Sequence, residues 1–336
     1  MQNSSNSDSS ELPWSRMIVI GDSFAEGLGD PEPKACGQLR GWADRVAEVF
    51  AGLDPNFAYA NLAVRGKVIR QIAAEQVAPA LKLKPDLVFI SAGGNDVLRP
   101  RSNPDQISQR LEKIVAEFSA VGATVVLFSA FDVKDAKVFR TVREKAAVFS
   151  QNIYSIANKH DALVVHCWGI IAAHDERYWD ADRLHLNALG HHTVALQVLN
   201  TLNVPHNLKQ QHPAPLPERS WRQARHEDVI WAREHFMPWV IRRVKRVSSG
   251  DNLSPKRPEA LPLTVNGADA DSSAATGAAV NTHPAPGTAA GSAVNLGEGA
   301  SAKPERPERE RTDRRTHNTH PNKAATTQTK AQPAKH

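Results

Sequence analysis

The residues able to do chemistry together fall in four short stretches. In the first, MIVIGDSFAEGLGD (residues 17–30), four apolar residues run into Gly21-Asp22-Ser23. A serine hydroxyl on a turn can attack an acyl carbon if a base takes its proton. The base in turn needs a carboxylate that fixes its tautomer and stabilises the imidazolium. The fourth stretch, DADRLHLNALGHH (residues 180–192), offers both as Asp182 and His185, three residues apart, a spacing that one helical turn would close. The oxyanion needs preorganised donors. Candidates are the backbone N–H of Ser23, that of Gly66 in NLAVRGK (61–67), and the side-chain amide of Asn95 in SAGGND (91–96). Gly66 suits the role because a residue without Cβ lets its N–H approach a ligand closely. Taken singly, each piece has a plainer reading: Asp22 or Ser23 as a helix cap, Asp-x-x-His as a surface pair, Gly-Gly-Asn-Asp as a turn. Their order, each following an apolar run, argues for a set.

Those runs are the elements that must position the set. Apolar stretches at 17–20, 57–61, 86–91, 124–129 and 163–166 read as buried strands. Helical stretches at 41–51, 68–83, 104–121, 139–159 and 188–202 separate or follow them. Strands alternating with helices predict βαβ units and right-handed crossovers. The expected fold is a three-layer α/β/α sandwich with a five-stranded parallel sheet, ending near Val204. All four chemical stretches then lie beyond strand C-terminal ends, where open α/β sheets carry their sites.

The four blocks Gly21-Asp22-Ser23-Phe24, Asn61 to Gly66, Gly93-Gly94-Asn95-Asp96 and Asp182-Arg183-Leu184-His185 resemble those of the SGNH (GDSL-type) hydrolases. The resemblance covers about residues 16–202, and the runs GWADRVAE and DADRLHLN look like the actinobacterial branch of that family. It implies a flavodoxin-like SGNH fold and hydrolysis of carboxylic esters or thioesters without metal or other cofactor. It also implies roles: Ser23 as nucleophile, His185 as base, Asp182 as its partner, Gly66 and Asn95 as oxyanion donors. The ordinary α/β-hydrolase pattern G-x-S-x-G fails here, because Ala25 stands two residues after the serine.

Composition divides the rest of the chain. Residues 1–205 are nearly balanced in charge, whereas 206–247 carry 9 Lys+Arg against 4 Asp+Glu. Residues 251–336 contain no Phe, Trp, Tyr, Ile, Met or Cys, so they read as disordered and dispensable for catalysis. The expected organisation is a disordered N-terminus (1–12), a hydrolase domain (13–205), a Pro-rich linker (206–217), a basic Trp-rich helical appendage (218–247) and the low-complexity tail. The appendage could pack its Trp face on the domain or contact an anionic membrane surface; no nucleic-acid motif is present, and the expected partner is a small ester. Two cysteines, Cys36 and Cys167, without CxxC, fit reduced thiols, though a single bridge stays open. The polar N-terminus lacks an apolar signal core, and a cytoplasmic location is expected. His191-His192 has no metal-site frame, so no metal is expected. Asp132 could line a substrate pocket or cap a loop; Trp168 and Trp179 could pack or touch substrate. The runner-up function is a binding protein on the same fold with a decayed site. Oligomeric state is not legible.

Overall fold

The computed structural model describes residues 12–136, 138–215, 220–245 and 250–263. Strand β1 (Arg16–Gly21) leads into a one-turn helix α1 (Ser23–Glu26); α2 (Trp42–Leu53), β2 (Ala58–Asn61), α3 (Ile69–Glu75), α4 (Val77–Lys82) and β3 (Leu87–Ser91) follow. Next come α5 (Gly94–Val97), α6 (Pro104–Ala120), β4 (Thr124–Phe128), α7 (Arg143–His160), β5 (Leu163–Val165) and α8 (Ala188–Thr201). Helices α9 (Trp221–Trp231) and α10 (Met237–Lys245) and strand β6 (Arg257–Pro262) complete the described chain. The sheet order is β5-β4-β3-β1-β2-β6, with β1 to β5 parallel.

The central strands are apolar on both faces because both faces are covered, as parallel sheets require. Met17, Val19, Phe89 and Phe128 point into one core with Trp42 and Phe50 of α2 and Val194 and Val198 of α8. Ile18, Ile20, Val88 and Ile90 point into the other with Ile72, Leu111, Phe118 and Phe149 of α3, α6 and α7. Period-two alternation along each strand thus assigns residues to opposite layers. Helix starts are set locally. Asn103 accepts from the N–H groups of Asp105 and Gln106, with Pro104 in the first turn of α6, and Asn187 caps α8 by accepting from Gly190 N–H.

Three expectations change. The helix expected over 68–83 is two helices with a break at Gln76. Pro79 lacks an N–H and would clash with the carbonyl four residues back, so the first helix cannot run through it. The sheet has six strands, not five: β6 pairs antiparallel with β2, Tyr59 opposite Leu261 and Asn61 opposite Arg257. The tail therefore does not begin at residue 251. Its first described part is a strap that shields what would otherwise be an open sheet edge. Arg257 Nε donates to Tyr59 O at 2.8 Å, and the buried Lys256 ammonium lies 2.5 Å from Asp44. Main-chain pairing and two basic side chains do the anchoring, so poverty in apolar residues concealed it. The remaining tail, the N-terminal residues 1–11 and the linker's end lie outside the described residues. Among the described residues no helix is long and apolar enough to cross a membrane.

Candidate active site

Ser23 stands where β1 turns into α1. At Gly21 the backbone has φ +156°, and an added Cβ would lie 2.5 Å from Ser91 O, so a side chain is excluded. The buried amide of Gln76 grips this glycine from both sides: Gly21 N–H donates to Oε1 at 2.8 Å, and Nε2 donates to Gly21 O at 2.9 Å. Asp22 caps α1 by accepting from Phe24 N–H at 3.2 Å, and Gly27 at φ +96° ends it. The helix is also tied to the loop after β2, since Glu26 receives Arg65 N–H at 2.7 Å and Arg65 Nη2 at 2.6 Å.

His185 Nε2 lies 3.0 Å from Ser23 Oγ, and His185 Nδ1 lies 2.5 Å from Asp182 Oδ2. The three form one hydrogen-bonded chain. No helical turn joins Asp182 to His185. Asp182 Oδ1 accepts from the N–H groups of Leu184 and His185, each at 2.9 Å, and Arg183 between them has φ +56°. The loop is closed by Asp180 N–H donating to His185 O and by a bridge between Trp179 and Leu186. Burial opposes the charge on Asp182, but the His185 ring and the two backbone N–H groups hold its carboxyl below the ordinary carboxylate value. It is thus ionised in the neutral range, as an orienting carboxylate must be.

Asn95, on the short helix after β3, borders the same cavity as Ser23. Its Nδ2 donates to Asp22 Oδ2 and to Lys67 O, both at 3.1 Å, linking the loops after β1, β2 and β3. Gly66 lies in the turn immediately before Lys67 with φ +75° but is not among the residues lining the cavity. The structure thus joins Ser23, His185 and Asp182 directly, brings Asn95 to them through Asp22, and leaves Gly66 one residue behind.

The cavity measures about 340 Å³, at the small end for ligand sites (roughly 300–1,000 Å³). Its wall is largely apolar, with Phe131, Phe139, Phe149, Trp179 and Trp231 among the lining side chains. Asp132 also lines it while ion-paired with Arg143 at 2.6 Å, so it both borders the cavity and fastens a loop. Trp168 lies away from it, under the Arg143 guanidinium. His191 proves to be a buried support. Its Nδ1 accepts from Trp42 N–H and its Nε2 faces Leu28 O, each at 3.2 Å, with the ring stacked on Phe24. Burial pushes its pKa down to about 3. Among the described residues no group of His, Cys, Asp and Glu could hold a metal ion, and both cysteines are unpaired.

Sequence reasoning missed Gln76, His191 and Trp231 as parts of the site. The indole of Trp231, in the basic appendage, donates to Asp182 O at 3.0 Å, and Arg183 pairs with Asp228 at 2.7 Å. The inner face of α9 therefore packs on the loop that carries Asp182 and His185, while Trp221, Val229 and Ile230 are exposed.

A curated relative, the esterase TesA of Pseudomonas aeruginosa, is 30% identical over 111 residues, 33% of this chain and 52% of TesA, so the chain spans about half the length of that relative. Two solved structures are similar. LAE5, an alpha/beta hydrolase enzyme from the metagenome of Lake Arreo, Spain, is 22% identical, covering 56% of this chain and 95% of its own, with a TM-score of 0.48. Axe2, an acetylxylan esterase from Geobacillus stearothermophilus, is 20% identical, covering 57% and 95%, with a TM-score of 0.47. The profile of the GDSL-like Lipase/Acylhydrolase family matches residues 19–193, just over half of the 336 residues, and the chain belongs to that family.

Proposed function

We propose that this protein hydrolyses carboxylic esters through an acyl-enzyme formed on Ser23. The observation that carries the reading is the continuous chain from Ser23 Oγ through His185 to Asp182, at 3.0 and 2.5 Å, with Ser23 and His185 on the wall of a largely apolar cavity. Membership of an acylhydrolase family and the name of the related esterase TesA support it.

The mechanism follows from the atoms. Ser23 Oγ attacks the ester carbonyl carbon while its proton passes to His185 Nε2, and Asp182 stabilises the imidazolium. The carbonyl oxygen becomes an oxyanion, met by the Ser23 N–H and the Asn95 amide, the two expected donors whose residues line the cavity. For Asn95 this requires one amide hydrogen to be shared between its present acceptor and the substrate. The tetrahedral intermediate collapses, His185 gives its proton to the departing alkoxide, and the alcohol leaves. A water, deprotonated by His185, then attacks the acyl carbon and releases the acid and the free serine. The largely apolar wall favours small or lipid-like acyl esters over charged ones.

A fluorophosphonate should label wild type on the peptide containing Ser23, and Ser23→Ala should lose both label and p-nitrophenyl acetate hydrolysis. Hydrolysis that survives in Ser23→Ala, or a label on another serine, would refute the assignment.

A further inference from the structure

The appendage beyond the matched family residues reaches the site through Trp231. This ring lines the main cavity and, with Phe139, Leu184 and His185, also lines a second cavity of about 260 Å³. The indole thus stands as a partition between two spaces that both touch the base. It is held from several sides. Its N–H donates to Asp182 O at 3.0 Å; Arg183 lies over the ring at 5.0 Å; Phe236 stacks on it at 5.6 Å. Phe236 is backed by Trp239, which meets Phe139 edge-on at 5.9 Å. A ring fixed in this way is a wall and not a mobile surface group.

We propose that Trp231 is a specificity-determining residue that limits the size of the alcohol the site accepts. The inference rests on the ester-hydrolase reading above. In that chemistry His185 Nε2 returns its proton to the departing oxygen. The alcohol's substituent must therefore lie beside His185, and Trp231 is the wall there. Behind the indole lies the second cavity, empty space that a truncated side chain would join to the first. Phe131 and Phe149 border the main cavity alone, so a group housed against them is not affected by the partition. Trp231 also holds the carbonyl of Asp182, which makes it a positioning residue for the catalytic loop.

The test separates the two sides of the ester. Wild type, Trp231→Ala and Trp231→Phe are assayed on acetates of ethanol, phenol and 2-naphthol, and on p-nitrophenyl esters from acetate to octanoate. Comparing variant with wild type on each ester cancels intrinsic leaving-group reactivity. Trp231→Ala should raise kcat/KM for the naphthyl ester relative to the ethyl ester by about tenfold or more, with a flat ratio across the acyl series. Trp231→Phe keeps a ring but not the N–H. It should retain the wild-type alcohol ranking and lower kcat by a common factor on all esters. Melting curves accompany each variant, and Trp231→Leu replaces Trp231→Ala if the latter does not fold. A flat alcohol series, or an acyl series that moves instead, overturns the inference while the ester reading stands. A wild type that neither hydrolyses esters nor takes a fluorophosphonate label on Ser23 overturns both.

Discussion

Replacing Gln76 by leucine should damage the site from the far side of the sheet. Gln76 is 3% exposed and touches no part of the cavity; its amide holds both main-chain groups of Gly21, two residues before Ser23. Leucine fills similar space but strands the Gly21 N–H, at a cost of about 1–3 kcal/mol for a buried donor left unpaired. Gly21 O fares better, because Val64 N–H also donates to it at 3.2 Å. That second loss should be near a net hydrogen bond, about 1 kcal/mol. The two together come to about 3 kcal/mol, or roughly 6–12 °C in Tm for a domain of this size. Activity should fall further than stability alone requires at a temperature where the variant is folded. The 3.0 Å contact from Ser23 to His185 depends on where β1 ends, and a displacement of about 1 Å at a reacting centre costs on the order of 10²-fold. The assay is calorimetric melting beside kcat on p-nitrophenyl acetate. Gln76→Glu, whose protonated carboxyl still accepts and donates, should fall between wild type and Gln76→Leu in both. A Gln76→Leu variant with wild-type Tm and kcat would show that the amide clamp does not hold the serine turn.

Asn95→Ala should lower kcat by about 10²–10³ with KM nearly unchanged, as expected for a donor to a charge present only in the transition state. Because the same amide bridges Asp22 and Lys67, a Tm drop of a few degrees should accompany it, and a wild-type kcat would remove Asn95 from the oxyanion site. A chain ending at Leu263 should keep the wild-type Tm and kcat. A chain ending at Val247 loses β6, the Lys256–Asp44 pair and the packing of Gly250 on Arg65 O, and should melt lower and turn over more slowly. Equal melting of the two shortened chains would mean that the strap contributes nothing to the domain.

What could be read in advance was whatever the chain writes locally. Strands buried on both faces must be apolar runs, so β1 to β5 stood out, and the turns after them advertised Ser23, Asn95 and the Asp182–His185 pair. Spacing alone misjudged how that pair meets: three residues suggest a helical turn, yet a left-handed Arg183 and two backbone N–H groups wrapped onto Asp182 do the work. The missed features share one property, which is that their partners lie far away in sequence. Gln76 clamps a glycine 55 residues earlier, Trp231 reaches a carbonyl 49 residues earlier, and Arg257 bonds Tyr59 across 198 residues. A glutamine in a helical stretch, or a tryptophan in a basic one, has many possible uses, and only the fold selects one. The strap was hidden for a further reason. Averaging composition over 86 residues treats pairing as if it required apolar side chains, but an edge strand can be held by main-chain hydrogen bonds, which any residue other than proline can donate. The family blocks are thus carried by the parallel sheet, while two segments after it add to it: one closes the sheet's edge, and the other sets Trp231 against the loop of Asp182 and His185.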